Sequence, residues 1–374
     1  MSENSRQFDC AIVGGGLAGL CLAIQLADAG FAVVVFEKNQ YPFHKVCGEY
    51  ISMESWSFLN KLGLPLQEMN LPEIKQLGIS SQKGFMLNQK LDMGGFGISR
   101  FTLDHRLSEL AVGKGVTVLD GCRVNNVHPA ANGLKAIQSA KGDFLAKVVC
   151  GSFGKYNPAF VEAGGKSGLN YIGVKYHIKT DLAADRIELH NFNKGYCGIS
   201  RVDNDQYCLC YLTESSNLLA HGKNIKAMEE AVLCENPYLK KYFTQSEFVY
   251  DQPQVISNIS FSKKSTYSGG MFLLGDAAGS ITPLCGNGMS MGMRASYLLA
   301  GELVLLLTGN KDLDQAVANY DRLWNLHFST RIKTGYYLQY LFGKNRTTDL
   351  SLKVLDKLPC LTSRMISLTH GDSF

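Results

Sequence analysis

Three glycines, Gly14, Gly16 and Gly19, stand at G-x-G-x-x-G spacing directly after an apolar run, Phe8 to Val13. They open a pattern, Leu17, Leu20, Ile24 and Leu26, that recurs at helical spacing. The first glycine permits a tight turn, the second lets backbone approach a pyrophosphate, and the third allows close helix packing. A helix that starts there offers unpaired N–H groups and a partial positive charge to phosphate oxygens. A second apolar run, Phe31 to Phe36, ends at Glu37, 18 residues beyond the last glycine. A carboxylate at that place accepts hydrogen bonds from both hydroxyls of a ribose, and an acid rather than a base favours an unphosphorylated adenosine ribose. A glycine triplet alone is a weak signal. With a strand before it, a helix after it and an acid closing the second strand, it predicts a βαβ unit that holds a dinucleotide.

A second constellation selects the dinucleotide. The buried run Met271 to Leu274 is followed by Gly275-Asp276-Ala277-Ala278, then Pro283, then Gly286 and Gly288 at the start of a long helical pattern from Met289. This segment resembles the flavoprotein superfamily of p-hydroxybenzoate hydroxylase and the geranylgeranyl reductases. The resemblance implies FAD as cofactor, with Asp276 on the ribityl chain and backbone N–H groups from Gly286 to Met289 at the flavin's pyrimidine edge. A helix N-terminus there suits the negative charge that reduction places on that edge. Arg100-Phe-Thr-Leu-Asp104-His-Arg-Leu107 resembles the superfamily's Arg-x-x-hydrophobic-Asp-x-x-Leu helix start, whose arginine reaches the pyrophosphate with a planar fork of donors. Lys38, Lys45 and Val124 are counted with the cofactor contacts on the same resemblance.

The segment Tyr41-Pro-Phe-His-Lys-Val-Cys-Gly-Glu49 resembles the Cys-Gly-Glu stretch that lies beside the isoalloxazine in geranylgeranyl reductases. It makes Cys47 and Glu49 the catalytic candidates. Cys47 could give a proton or only pack, and Glu49 could be a general acid or a partner of Lys45. Other features depart from the relatives. The Asp-Gly motif of the hydroxylases is replaced by Cys150-Gly151-Ser152, which puts direct reduction by NAD(P)H in question and leaves an electron-donor protein as the other source. The aromatic-x-Trp pattern of the reductases and the Trp-x-Trp-x-Ile-Pro segment of flavin halogenases are absent, the only tryptophans being Trp56 and Trp324. Halogenation is therefore not expected. The alternating stretches 171–178 and 206–212 read as antiparallel sheet, which supplies the substrate wall in this superfamily. Its candidates are His177, Tyr196 and Tyr211, with Tyr176, His190 and Tyr207 as others, but alternation does not say which face each occupies. Few charges lie there, so a hydrophobic small-molecule substrate is expected.

The elements that must position these residues follow from the rest of the chain. With 374 residues, 45% hydrophobic and 19% charged, it has ample core, and neither disorder nor coiled coil fits. A formal net charge of +4, weak and expected to be evenly scattered, does not point to nucleic acid. Eleven cysteines form no C-x-x-C pair, no metal site is expected, and the polar start Met1 to Gln7 carries no apolar leader, which together read as cytoplasmic. The apolar stretch 297–307 carries Glu302 and is short of the roughly 20 residues that span a bilayer, so a buried helix is expected, with peripheral membrane contact left open. A helix is expected from Thr102, and four short strands between Val116 and Cys150. The fold class is α/β: a doubly wound, glutathione-reductase-like FAD domain built from 1–80, 98–165 and 265–330, an inserted antiparallel substrate domain from 81–97 and 166–264, and a helical segment 331–374. The function read from this is an FAD-dependent oxidoreductase, a monooxygenase of an aromatic or polyketide-like metabolite. The alternatives are a double-bond reductase or a flavin-holding accessory protein without turnover.

Overall fold

The computed structural model describes residues 6–161, 170–259, 264–280, 286–341 and 343–374, with backbone alone at 258, 259, 339–341, 345 and 346. In chain order, β1 (Arg6–Val13), α1 (Leu17–Asp28) and β2 (Val33–Phe36) form the opening βαβ unit. Next come β3 (Tyr50–Ser52), α2 (Trp56–Leu62), β4 (Glu73–Ser80), β5 (Met86–Gly97) and α3 (Arg100–Gly113). The four strands expected before Cys150 are present as β6 (Thr117–Leu119), β7 (Val124–Pro129), β8 (Lys135–Ser139) and β9 (Gly142–Gly151). They are followed by β10 (Tyr171–Lys179), β11 (Arg186–Phe192), β12 (Gly195–Arg201) and β13 (Tyr207–Glu214). Three short helices, α4 (Ser215–Ala220), α5 (Ile225–Met228) and α6 (Pro237–Gln245), precede β14 (Glu247–Phe248), β15 (Gln254–Ile259), β16 (Tyr267–Ser268) and β17 (Met271–Leu273). The chain closes with α7 (Gly288–Leu307), α8 (Leu313–Leu341), α9 (Asn345–Asp356) and α10 (Pro359–Ser367).

The first sheet runs β16-β17-β9-β1-β2-β6, parallel from β17 to β6, with β8 and then β7 added antiparallel on β9. A parallel sheet needs cover on both faces, and the sequence of β2, Val-Val-Val-Phe, is fully buried accordingly. Helix α1 is buried at Leu17, Leu20, Leu22, Ile24 and Leu26, because α7 lies along it on the side away from the sheet. Each such leucine or isoleucine contributes about 1.5–3 kcal/mol of transfer free energy. At Gly292 an added Cβ would meet the Ala18 Cβ at 3.5 Å, so the small residues set how closely α7 approaches. Helix α7 is the one described helix long and apolar enough to cross a membrane, and over half of its apolar window is buried inside the molecule. The expected helix over 297–307 is the second half of α7, but it is buried on one face only, at Leu299, Ala300, Glu302 and Leu303, with Tyr297 and Leu305 exposed on the other. Helix α3 begins two residues before the expected Thr102, because the Ser99 side chain caps it by accepting from the Thr102 N–H at 3.1 Å.

The second sheet runs β14-β10-β13-β12-β11-β4-β5-β3, with β15 also on β10. It is antiparallel except for β11 on β4, which run parallel. Residues 50–52 and 73–80, which the sequence reading assigned to the FAD domain, pair in this sheet instead. One face of β10 and β13, with Ile172, Val174, Tyr176, Leu209 and Tyr211, packs on Met228, Leu233 and Leu239 of the short-helix layer. The other face turns toward the first sheet.

Polar groups buried between strand and helix cluster around Glu188. Glu188 accepts from Arg186 Nε at 2.6 Å and the Tyr242 hydroxyl at 2.8 Å, and lies 3.1 Å from His190 Nε2. Burial opposes its charge, but His190, Arg186 and Tyr242 prevail and hold its pKa down at about 2. A carboxylate with a depressed folded-state value stabilises above its unfolded value of about 4.3 and loses that contribution as pH falls toward 2. Glu188→Gln should therefore cost about 2 kcal/mol at pH 6. The difference from the parent in urea midpoint should shrink steadily when the same titration is run between pH 4 and 2.5.

Candidate functional site

Between the two sheets lies a cavity of about 1500 Å³, above the roughly 300–1,000 Å³ of an ordinary ligand pocket. One end is built by the βαβ unit. Gly14 has φ +107°, and an added Cβ would sit 2.3 Å from the Ser152 carbonyl oxygen, so no side chain fits where β1 passes β9. Gly16 caps α1 with no side-chain hydrogen bond, which leaves the first-turn N–H groups open. A Cβ on Gly16 would lie 3.3 Å from Lys45 Nζ and 3.8 Å from Arg100 Nη2, so two cations already stand over that backbone. Arg100 grips Asp104 through two bonds of 2.8 and 2.7 Å, and Lys45 reaches the same carboxylate at 3.0 Å. Burial opposes ionisation of Asp104, yet the two cations hold it below the usual carboxylate range. The cluster is left with one net positive charge beside a helix N-terminus, a fit for an anionic diphosphate.

Glu37 follows β2, is buried, and accepts from the Gly15 N–H and the Asn39 N–H, each at 3.0 Å. Lys38, Val124 and Asn125 line the same end. Farther along, Asp276, Gly286, Gly288 and Met289 line the cavity where α7 begins. Asn287 caps α7 without a side-chain bond to the helix, and its buried Oδ1 has no partner among the described residues. That orphaned acceptor beside open helix N–H groups suits a ring edge with donors and acceptors of its own. Gly19 packs against the Gly14 carbonyl, away from the cavity. Pro283 lies outside the described residues.

The Cys-Gly-Glu segment behaves unevenly. Cys47 is half-buried on the cavity wall, and its carbonyl accepts from the Cys208 thiol at 3.2 Å. Glu49, at φ +56°, sends its side chain away into a fully buried cluster. Its Oε1 accepts from the Arg100 N–H at 2.8 Å and from the Lys175 ammonium, and its Oε2 pairs with His177 Nε2 at 2.6 Å. Burial alone would raise the Glu49 pKa, but Lys175 and His177 hold it below the usual value, so it is a carboxylate at neutral pH. This corrects both readings of Glu49: it is not set to donate a proton, and its lysine partner is Lys175, while Lys45 pairs with Asp104. Lys175 is itself buried and bonds the Lys45 carbonyl at 3.1 Å; burial opposes its charge, and Glu49 more than compensates. Glu49, His177 and Cys208 bring ligand-type atoms within 4.8 Å of one another, but the Lys175 ammonium already supplies the cation there.

The sheet places the aromatic candidates on different sides. Tyr196 lies on the cavity face with Gly198 and Cys210. Tyr211 borders the cavity but directs its hydroxyl away, donating to Glu229 at 2.8 Å in the outer core, as does Tyr176 at 2.9 Å. His190 also faces outward, toward Glu188. His177 is on the inner face but is spent on Glu49 and does not line the cavity. Residues the sequence reading passed over complete the far end: Leu77, Ile79, Leu91, Ile187 and Leu189 from the sheet, and Leu352, Leu355, Met365 and Ile366 from α9 and α10. The signal for Lys175 was a lysine in the middle of a mostly apolar alternating strand, two residues before His177. The helices gave none, because a helical face that lines a cavity reads like any core face.

The Rossmann-like NAD(P)-binding domain family matches residues 12–46. The chain is 25% identical over 376 residues to digeranylgeranylglycerophospholipid reductase 1 of Methanococcoides burtonii, covering 92% of this chain and 86% of that one. It is 26% identical over 328 residues to kynurenine 3-monooxygenase of Christiangramia forsetii, covering 77% and 70%. Among solved structures it resembles the flavin-dependent brominase Bmp2, with TM-score 0.79, 18% identity and coverage of 97% and 93%.

Removing one partner of a buried ion pair leaves an uncompensated charge and costs about 3–5 kcal/mol. Lys175→Met should lose that much in chemical denaturation. Pairing it with Glu49→Gln should recover at least half, a coupling that a double-mutant cycle reads directly.

Proposed function

We propose that this chain, a member of the flavoprotein superfamily of p-hydroxybenzoate hydroxylase and the geranylgeranyl reductases, is an FAD-dependent monooxygenase that hydroxylates a hydrophobic aromatic or polyketide-like molecule. The observation that carries the reading is the continuity of the cavity. Its end at Gly14, Gly16 and Glu37 is shaped for a dinucleotide, and its other end, from Leu77 to Ile366, is apolar and has room left for a second molecule.

In this reading the α1 N-terminus, Lys45 and Arg100 hold the pyrophosphate, and Glu37 takes the ribose hydroxyls by giving up its bond from Gly15. Val124 borders the adenine, Asp276 holds the ribityl chain, and Gly286, Gly288 and Met289 offer N–H groups to the pyrimidine edge. FAD supplies two-electron chemistry and, once reduced, activates dioxygen. The chain's own contribution is orientation and dryness. Leu189, Leu352, Leu355 and Ile366 keep water from the reacting end, and Tyr196 borders the substrate there. No tryptophan is found among the residues lining this cavity; Trp56 packs edge-on to Phe96 and Trp324 to Phe328. That supports oxygenation over halogenation. NAD(P)H is the candidate electron donor, and an electron-donor protein takes its place if the Cys150-Gly151-Ser152 turn does not accommodate the nicotinamide.

One observation favours a second reading. Cys47 stands on the cavity wall, where a thiol could give the proton that accompanies hydride transfer to a carbon-carbon double bond. The two are separated by supplying the reduced holoprotein with a lipophilic extract of its host under ¹⁸O₂. A product that gains one ¹⁸O supports the monooxygenase, and a product that gains two hydrogens and no label overturns it in favour of the reductase. Independently, Gly14→Ala should purify without FAD absorbance while keeping its secondary structure by circular dichroism, because the added methyl displaces the β1–α1 turn from Ser152.

A further inference from the structure

Helices α9 and α10 have two working faces. Leu352, Leu355, Met365 and Ile366 point inward and line the apolar end of the cavity. On the outside, Leu350, Val354, Leu358, Leu361 and Leu368 are each between 46% and 66% exposed. Single exposed leucines are ordinary, but four leucines and a valine within 19 residues, Leu350 and Val354 on α9, Leu358 between the helices, Leu361 on α10 and Leu368 just after it, gather apolar surface into one strip of this segment. Lys353, Lys357 and Arg364 lie exposed among them. The charge of the chain is distributed in the same way. Residues 331–374 hold seven Lys or Arg against three Asp, a net +4, while the remaining 330 residues balance at 30 against 30. The charge is therefore not evenly scattered; Arg331 is buried on Glu54, and from the start of α9 to the end of α10 Arg346, Lys353, Lys357 and Arg364 stand against Asp349 and Asp356, a net +2.

We propose that the outer face of α9 and α10 docks on the surface of an anionic lipid bilayer. An amphipathic helix with lysines along the border of its apolar strip lies in the headgroup plane, its apolar side chains below and its cations at the phosphates. An acidic protein partner or a second copy would also cover apolar surface. A second copy brings the same excess of cations to the contact, and the two acids of these helices, Asp349 paired with Lys353 at 2.8 Å and Asp356, do not answer it. The lipid surface satisfies both the strip and the charge, and it is the phase in which a lipophilic substrate for the adjoining cavity dissolves. The proposal goes beyond the reaction and is read without turnover.

The test is flotation of the holoprotein with phosphatidylcholine vesicles, with and without phosphatidylglycerol. Wild type should float with the anionic vesicles, bind roughly tenfold less to the neutral ones, and be released as salt rises from about 0.1 to about 0.5 M. Leu350→Glu/Val354→Glu/Leu358→Glu should lose at least roughly tenfold in bound fraction while retaining its flavin spectrum, since none of the three lines the cavity. Lys353→Gln/Lys357→Gln, a milder change at exposed sites, should weaken binding only to the anionic vesicles. Failure of wild type to float, equal flotation of the triple-glutamate variant, or a wild-type dimer by sedimentation equilibrium that the same variant dissociates would each overturn the proposal.

Discussion

The structure turns on one buried carboxylate. Glu49 follows the segment that lies against the cavity, and it takes an N–H from the start of α3, an ammonium from β10 and an imidazole from the same strand. A carboxylate in so dry a place is tolerated only if each oxygen is answered. Satisfying it requires the first sheet's helix and the second sheet's central strand to meet at one point. That requirement fixes the distance between the two sheets, and the cavity is the space this distance leaves. Lys175 adds a bond to the Lys45 carbonyl, so the loop carrying Lys45 and Cys47 is tied to the same point.

A second ionic cluster, Arg100 and Lys45 on Asp104, lies on the other side of that loop and faces the nucleotide end. The two clusters share Arg100, whose backbone N–H serves Glu49 and whose side chain serves Asp104. Cofactor-side charge and sheet-to-sheet packing are therefore mechanically joined at one residue. A change at either cluster would be felt at the Cys47 wall, which gives the loop a defined place without any disulfide among the described cysteines.

Apolar closure comes from elsewhere. Helices α9 and α10 return across the second sheet, and their inner leucines finish a wall that the sheet strands only begin. Arg331 and the Gly371 N–H both bond Glu54, at 3.2 and 2.7 Å, which anchors α8 and the segment after α10 to the turn following β3. The helices are thus held in register with the cavity at their ends while their outer face stays uncovered.

The sequence by itself determined the parts that obey local rules. The glycine spacing, the acid after β2, the alternation of β10 and β13 and the small residues opening α7 each follow from backbone geometry within a few residues, and each is found where it was expected. Strand alternation gave two faces to Tyr176, His177, Tyr196 and Tyr211 but no means of naming the inner one. Only the tertiary structure decided that, by laying α5 and α6 on one side and the nucleotide fold on the other. The same holds for Glu49, whose partner Lys175 is 126 positions away. An ion pair between distant strands leaves no periodic trace in a chain, because what selects it is the desolvation of both charges at a contact that exists only after folding.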